Sequence, residues 1–222
     1  SLFNDPEAIE IFNRNGLDVQ VSTSGSWAMA EQDGLTDNDF AFPSSDLAAE
    51  HIESVHSDAV LGTERPFYSP LAVVSGKTQM NVLARNGIAE QRDGVWYIDM
   101  PAYLDSVSND VRWSSLDGGD EYPSSRSVMI TTTDVRSSNS AEMFLALSSY
   151  VANGNNVITS VDDADKQIDS LSKLFLNQGY SQSSSAGPWE SVLSKGTMNQ
   201  PLTLIYESQF VEESLSNSSR LS

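Results

Sequence analysis

Three times along this 222-residue chain, a short β-rich run enters a turn crowded with hydroxyls and leaves it as an apolar-faced helix. In the first run, 17–21, Leu17, Val19 and Val21 alternate with Asp18 and Gln20. It leads through Ser22-Thr23-Ser24-Gly25-Ser26 into a short helical stretch at 27–30. The second is Asp39-Phe40-Ala41-Phe42, followed by Pro43-Ser44-Ser45 and a helix over 46–55. The third is 127–132, followed by a polar turn over 133–140. Its helix carries Met143, Phe144, Leu147, Tyr150 and Val151 on one face. Strand, polar turn and helix form the repeating unit of an α/β layer. The pattern therefore predicts a mostly parallel sheet flanked by helices.

The remaining elements follow from caps and periodicity. Asp5-Pro6-Glu7 opens a helix that Gly16 stops. Helices are expected over 78–85, 101–107 and 162–177, the last with Ile168, Leu171, Leu174 and Phe175 inward. Apolar runs at 67–74, 95–98 and 201–206 read as strands. The stretches 113–122 and 181–188 read as loops, and the end after Glu213 reads as a polar tail.

Charge narrows the partners. Thirty-one Asp and Glu against 12 Lys and Arg give a net charge of -19. Such a surface repels nucleic acid and anionic lipid, and no basic stripe offsets it. With no cysteine, disulfides, thiolate nucleophiles and Cys-based metal sites are excluded. The start, Ser1-Leu2-Phe3-Asn4, lacks the basic and apolar regions of a signal peptide, and the chain reads as one whose native N-terminus has been removed.

The candidate chemistry lies in the three turns. In an open α/β sheet, ligands bind beyond the carboxyl ends of the strands, where helix N-termini offer free N–H groups. Ser24, Gly25, Ser26, Ser44, Ser45, Ser137, Ser138, Asn139 and Ser140 would then be neutral donors along one rim. The alternative for any single turn is an ordinary N-cap. Arg136 either clamps an anion or pairs with Asp134 or Glu142. Glu207 either accepts from a ligand or starts a helix. Trp27, Trp96, Trp113 and Trp189 either stack on a sugar or fill the core. Catalysis is not expected. A serine triad needs a histidine, and only His51 and His56 exist, both in or just after one helix. Their spacing of five is not that of a zinc pair, and the acidic residues at 33–39 lack a calcium-loop pattern. No phosphate-binding or dinucleotide-binding glycine motif occurs, and no cofactor is expected.

The order of these parts resembles the type II periplasmic solute-binding proteins, in particular their molybdate-like extracellular branch. The matching pieces are Ser22-Thr23-Ser24-Gly25-Ser26, Asp39-Phe40-Ala41-Phe42-Pro43-Ser44-Ser45, Tyr68-Ser69-Pro70-Leu71, Thr132-Thr133-Asp134-Val135-Arg136-Ser137-Ser138-Asn139-Ser140 and Leu204-Ile205-Tyr206-Glu207-Ser208-Gln209. The resemblance implies a two-lobed α/β fold, each lobe a mostly parallel sheet flanked by helices. Lobe one would comprise 1–68 and 201–222, incomplete at both ends, and lobe two 69–200. A small polar solute or oxyanion would be held between them without catalysis. Ser24, Gly25, Ser26, Ser44 and Ser45 would lie on one side, with Thr133, Ser137, Ser138 and Asn139 opposite, Ser69 at the crossing into lobe two, and Tyr206 and Glu207 at the return crossing; Arg136 joins this set from its place in the third turn. The implied setting is extracellular or envelope-bound, with a membrane permease or other envelope domains as partners and no nucleic acid. A module of the same shape that serves interaction or sensing and has lost its ligand is the second reading.

Overall fold

The computed structural model describes residues 2–179 and 181–221. Local sequence sets most helices. α1 (Pro6–Arg14) begins where the Asp5 carboxylate accepts the N–H groups of Glu7 and Ala8. α2 (Asp46–Val55) is capped by Ser45, which accepts from the Ala48 N–H. After β1 (Leu71–Ser75) come α3 (Lys77–Arg85), β2 (Ala89–Arg92), β3 (Val95–Ile98) and α4 (Met100–Ser108), the last capped by Asp99. α5 (Asn139–Ala152), α6 (Val161–Leu176), α7 (Ala186–Lys195), β4 (Leu202–Tyr206) and α8 (Glu207–Ser216) complete the chain.

Only two small sheets are present among the described residues, and both are antiparallel. β1 pairs with β4 so that Leu71 faces Tyr206 and Ser75 faces Leu202. β2 and β3 form a hairpin across Asp93-Gly94, at φ 50° and 82°. Two successive positive φ values are what a two-residue turn needs to match strand twist. The expected strand at 127–132 touches the free edge of β4 at one parallel bridge. There the Thr131 N–H donates to Leu202 O (2.8 Å) and the Leu204 N–H donates to Thr131 O (2.9 Å).

This architecture overturns the expected two-lobed, mostly parallel α/β fold, and with it the resemblance to type II solute-binding proteins. The runs at 17–21 and 39–42 join no ladder among the described residues. Both are only four or five residues long, and neither lies beside a strand that would satisfy its edges. Helix packing supplies the apolar burial instead. α7 begins inside the stretch expected to be loop, at Ala186, and β2 was not anticipated.

The main core lies between α3, α4, α5, α6 and the inner face of β4. Trp113, Tyr103, Phe144, Leu83, Ile130 and Leu174 are among its largest wholly buried side chains. Trp189 lies in a smaller cluster with Val192 and Ile205 on the other face of β4. Trp96 packs against the main core, so three tryptophans serve packing. One helix face is turned in part from expectation: Leu147 and Tyr150 of α5 are exposed, while Phe144 points inward with Ala141 and Ser148. α6 faces the core through Leu171, Leu174 and Phe175 as expected, with Ile168 exposed.

Tyr103 ties α4 to the segment that feeds α5. Its hydroxyl accepts the Ile130 N–H at 3.0 Å, and burial pushes the phenol well above its usual range. Tyr103→Phe keeps the ring but strands the buried Ile130 N–H. A loss of about 1–3 kcal/mol in urea-unfolding stability is expected, with little change in m-value.

Candidate functional site

Local chain geometry brings four serine-bearing corners to one place. Ser24, Gly25, Ser26 and Ser44 line one side of a pocket of about 220 Å³. Ser138, Asn139 and Ser140 at the start of α5, Ser183, Ser184 and Ser185 at the start of α7, and Tyr206 at the end of β4 line the rest. Among the described residues, no carboxylate, lysine, arginine or histidine contributes to this lining.

The lining is cross-linked. Asn139 is the hub: its Oδ1 accepts from Ser45 Oγ (2.5 Å) and its Nδ2 donates to the Tyr206 hydroxyl (2.9 Å). Tyr206 donates to Ser44 Oγ (3.3 Å), and Ser44 Oγ lies 2.8 Å from Ser26 Oγ. The Ser44 N–H also donates to Ser26 Oγ at 3.0 Å. Behind α5, Ser140 Oγ lies 2.8 Å from Thr133 Oγ1 and 3.2 Å from Ser138 Oγ, all three residues being buried. Buried hydroxyls are retained because they satisfy one another. Ser138 is the N-cap of α5, yet its side chain caps nothing. Among the described residues, no acceptor takes the N–H groups of Asn139 and Ser140. They belong to the first turn of a 14-residue helix, where the helix dipole places partial positive charge.

Gly25 is required by crowding. A Cβ built on it would collide with the Ser137 carbonyl oxygen, so the two corners approach backbone to backbone.

Several expected residues stand elsewhere. Ser45 lies behind the lining, holding Asn139 and capping α2. Ser69 accepts the Ser208 N–H at the start of α8 (2.9 Å). Thr133 is buried against Ser140, and Ser137 contributes backbone. Glu207 is the first residue of α8, with its N–H on Pro70 O, so its helix-start alternative is the one present. Arg136 points to solvent and grips Asp134 through Nε (3.0 Å) and Nη2 (2.6 Å). That settles its alternatives in favour of the ion pair. Glu142 makes no such pair, and burial raises its carboxyl pKa. Both histidines are half-buried rather than exposed. His51 stacks on Trp27 at 4.3 Å, and His56 Nε2 lies 2.7 Å from Ala30 O. Ser183–Ser185 were absent from the expected rim. The run of serines before Pro188 was visible, but not the helix that turns it into a rim.

No family model, curated protein or solved structure matches this chain. The assignment as an extracellular solute-binding protein, and its variant as a ligand-free sensor of the same shape, both required two sheet-based lobes around a cleft. With two antiparallel ribbons and a helical core, neither stands. Among the described residues, no helix is long and apolar enough to cross a membrane, and no group of three acidic or histidine side chains is placed to hold a metal.

The side-chain and backbone donors of Arg136 hold the Asp134 carboxyl at about 2, below the usual range. A depressed carboxyl stabilises the fold above its unfolded value of about 3.9, and that contribution is lost as pH falls toward the folded value. Arg136→Gln should therefore raise the Asp134 pKa toward about 3.9 in a carbon-13 NMR titration. The mutant should be less stable than the parent at neutral pH, with the gap closing as pH falls through that window.

Proposed function

We propose that the serine-lined pocket binds a small oxyanion reversibly, through neutral donors, and that the bound anion ties the N-terminal segment to the helical body. This reading needs no second lobe and no closing motion. The observation that carries it is the pairing of two uncapped N–H groups at the start of α5 with a wall of hydroxyls from four other parts of the chain. Oriented N–H groups and hydroxyls replace the hydration of an anion without adding a counter-charge. The lack of any carboxylate among the described lining residues matters in a chain of net charge -19, because an anion there meets no negative side chain in the wall.

The same geometry favours binding over covalent chemistry. Among the described residues, none of the serines in the lining makes a side-chain hydrogen bond to a histidine, lysine or carboxylate that could accept its proton. A serine nucleophile is weak without such a base.

Sulfate and phosphate are the probes, against chloride at matched ionic strength. At a ligand concentration of about 100 times Kd, stabilisation is about 2.7 kcal/mol. For a chain of this size that raises Tm by roughly 5–10 °C. Ser26→Ala, which removes one half-buried hydroxyl, should cut the shift while leaving the unliganded Tm almost unchanged. Equal Tm values in sulfate, phosphate and chloride would sink the proposal. So would an undiminished shift in a Ser26→Ala, Asn139→Ala double variant, which would place the anion elsewhere.

A further inference from the structure

The first 68 residues carry a second surface, remote in character from the hydroxyl pocket. Their only buried apolar side chains among the described residues are Ala30, Ala48 and Ile52. α1 buries none of its residues, and Ile9 and Ile11 stay exposed. Phe3 lies 6.2, 5.5 and 5.2 Å from Phe12, Phe40 and Phe42, and Phe42 lies 5.9 Å from Phe67. Five rings thus run together across the surface, with Phe40, Phe42 and Phe67 at 49 %, 39 % and 56 % exposure. Contiguous apolar surface of this kind marks an interaction face.

The backbone shows what shape of occupant fits. Among the described residues, none of the backbone N–H or C=O groups of 18–24 or 39–43 makes a backbone hydrogen bond. Both segments have strand-forming sequence, with Leu17, Val19 and Val21 alternating with polar residues and Phe40 and Phe42 flanking Ala41. A strand-like segment with free edges is a template for another strand.

Charge identifies the partner. Residues 1–68 hold 13 Asp and Glu and only two basic side chains, Arg14 and Arg65. Both are already engaged, Arg14 with Glu10 and Arg65 with Asp46. A second copy of this chain would bring the same excess of negative charge to the face. We propose that this surface receives an extended, basic segment of another protein, which adds as a β-strand along 18–24 or 39–43. Its alternate apolar side chains would lie on the phenylalanine cluster and its lysines or arginines among the flanking carboxylates.

The test uses the full chain and three labelled synthetic peptides of equal length, alternating Lys/Val, Glu/Val and Lys/Ser. Fluorescence anisotropy should show binding of the Lys/Val peptide alone, weakened about tenfold between low and high salt. Hydrogen exchange read by NMR should show new amide protection confined to 18–24 or 39–43. Gln20→Pro and Ala41→Pro each delete an N–H that has no backbone acceptor in the free chain. Combined, they should leave Tm nearly unchanged and weaken the peptide about tenfold or more. Four results would overturn the proposal: equal binding of the Lys/Ser peptide, protection mapping outside these segments, full affinity in the double proline variant, or a free chain that sediments as a dimer with those amides already protected.

Discussion

β4 is hydrogen-bonded along both edges, and the rest of the molecule is arranged around that fact. β1 occupies one edge in full register, and the Thr131 bridge occupies part of the other. One face of the strand presents Leu202 and Leu204 to the main core, while Ile205 packs against Trp189 and Val192 on the opposite side. A five-residue strand thus joins sequence positions around 71, 131, 189 and 202. Its last residue, Tyr206, emerges from this framework with its hydroxyl fixed at the pocket. The position of the site is therefore a consequence of strand register. A slip by one residue would turn the Tyr206 side chain to the other face of the ribbon.

The pocket and the apolar N-terminal surface are electrostatic opposites. The pocket is walled by neutral donors and the positive end of a helix. The phenylalanine surface lies in the segment with the densest excess of carboxylates. A single net charge of -19 conceals both, because long-range charge and local donor geometry act over different distances. Ionic strength screens the first over about 10 Å or less, whereas contacts at hydrogen-bond distance are much less affected.

Local signals in the sequence were read well, and non-local ones poorly. The α2 bounds, the Asp5 cap, the strand at 202–206 and the crowded turn at 133–140 follow from neighbouring residues. Strand pairing does not, because alternation at 17–21 shows what a segment is suited for without showing what lies beside it. The βα pattern was present in sequence, but the sheet it implied was not built, and the family resemblance failed with it. At the site, the convergence of Ser24–Ser26, Ser44 and Ser138–Ser140 was legible from the repeated hydroxyl-rich corners, whereas Tyr206 was pointed to only by the resemblance that failed. Arg136 was attractive as an anion clamp only until its nearer option, a carboxylate two residues away, proved geometrically ideal. Ser183–Ser185 were missed because Gly187-Pro188 reads as a loop, although proline within a first helical turn is well tolerated.

The hub role of Asn139 also fixes a direction. An amide can donate only through nitrogen and accept only through oxygen. Since its Nδ2 serves Tyr206, the phenol proton goes onward to Ser44. Ser44 Oγ has a second lone pair, so it can either donate to Ser26 Oγ or accept from it. The Ser44 N–H donates to Ser26 Oγ in both arrangements. Either way one serine hydrogen is left over to swing into the open space, and rotating the Asn139 amide by half a turn would bring its oxygen to the phenol and turn that proton back toward Asn139.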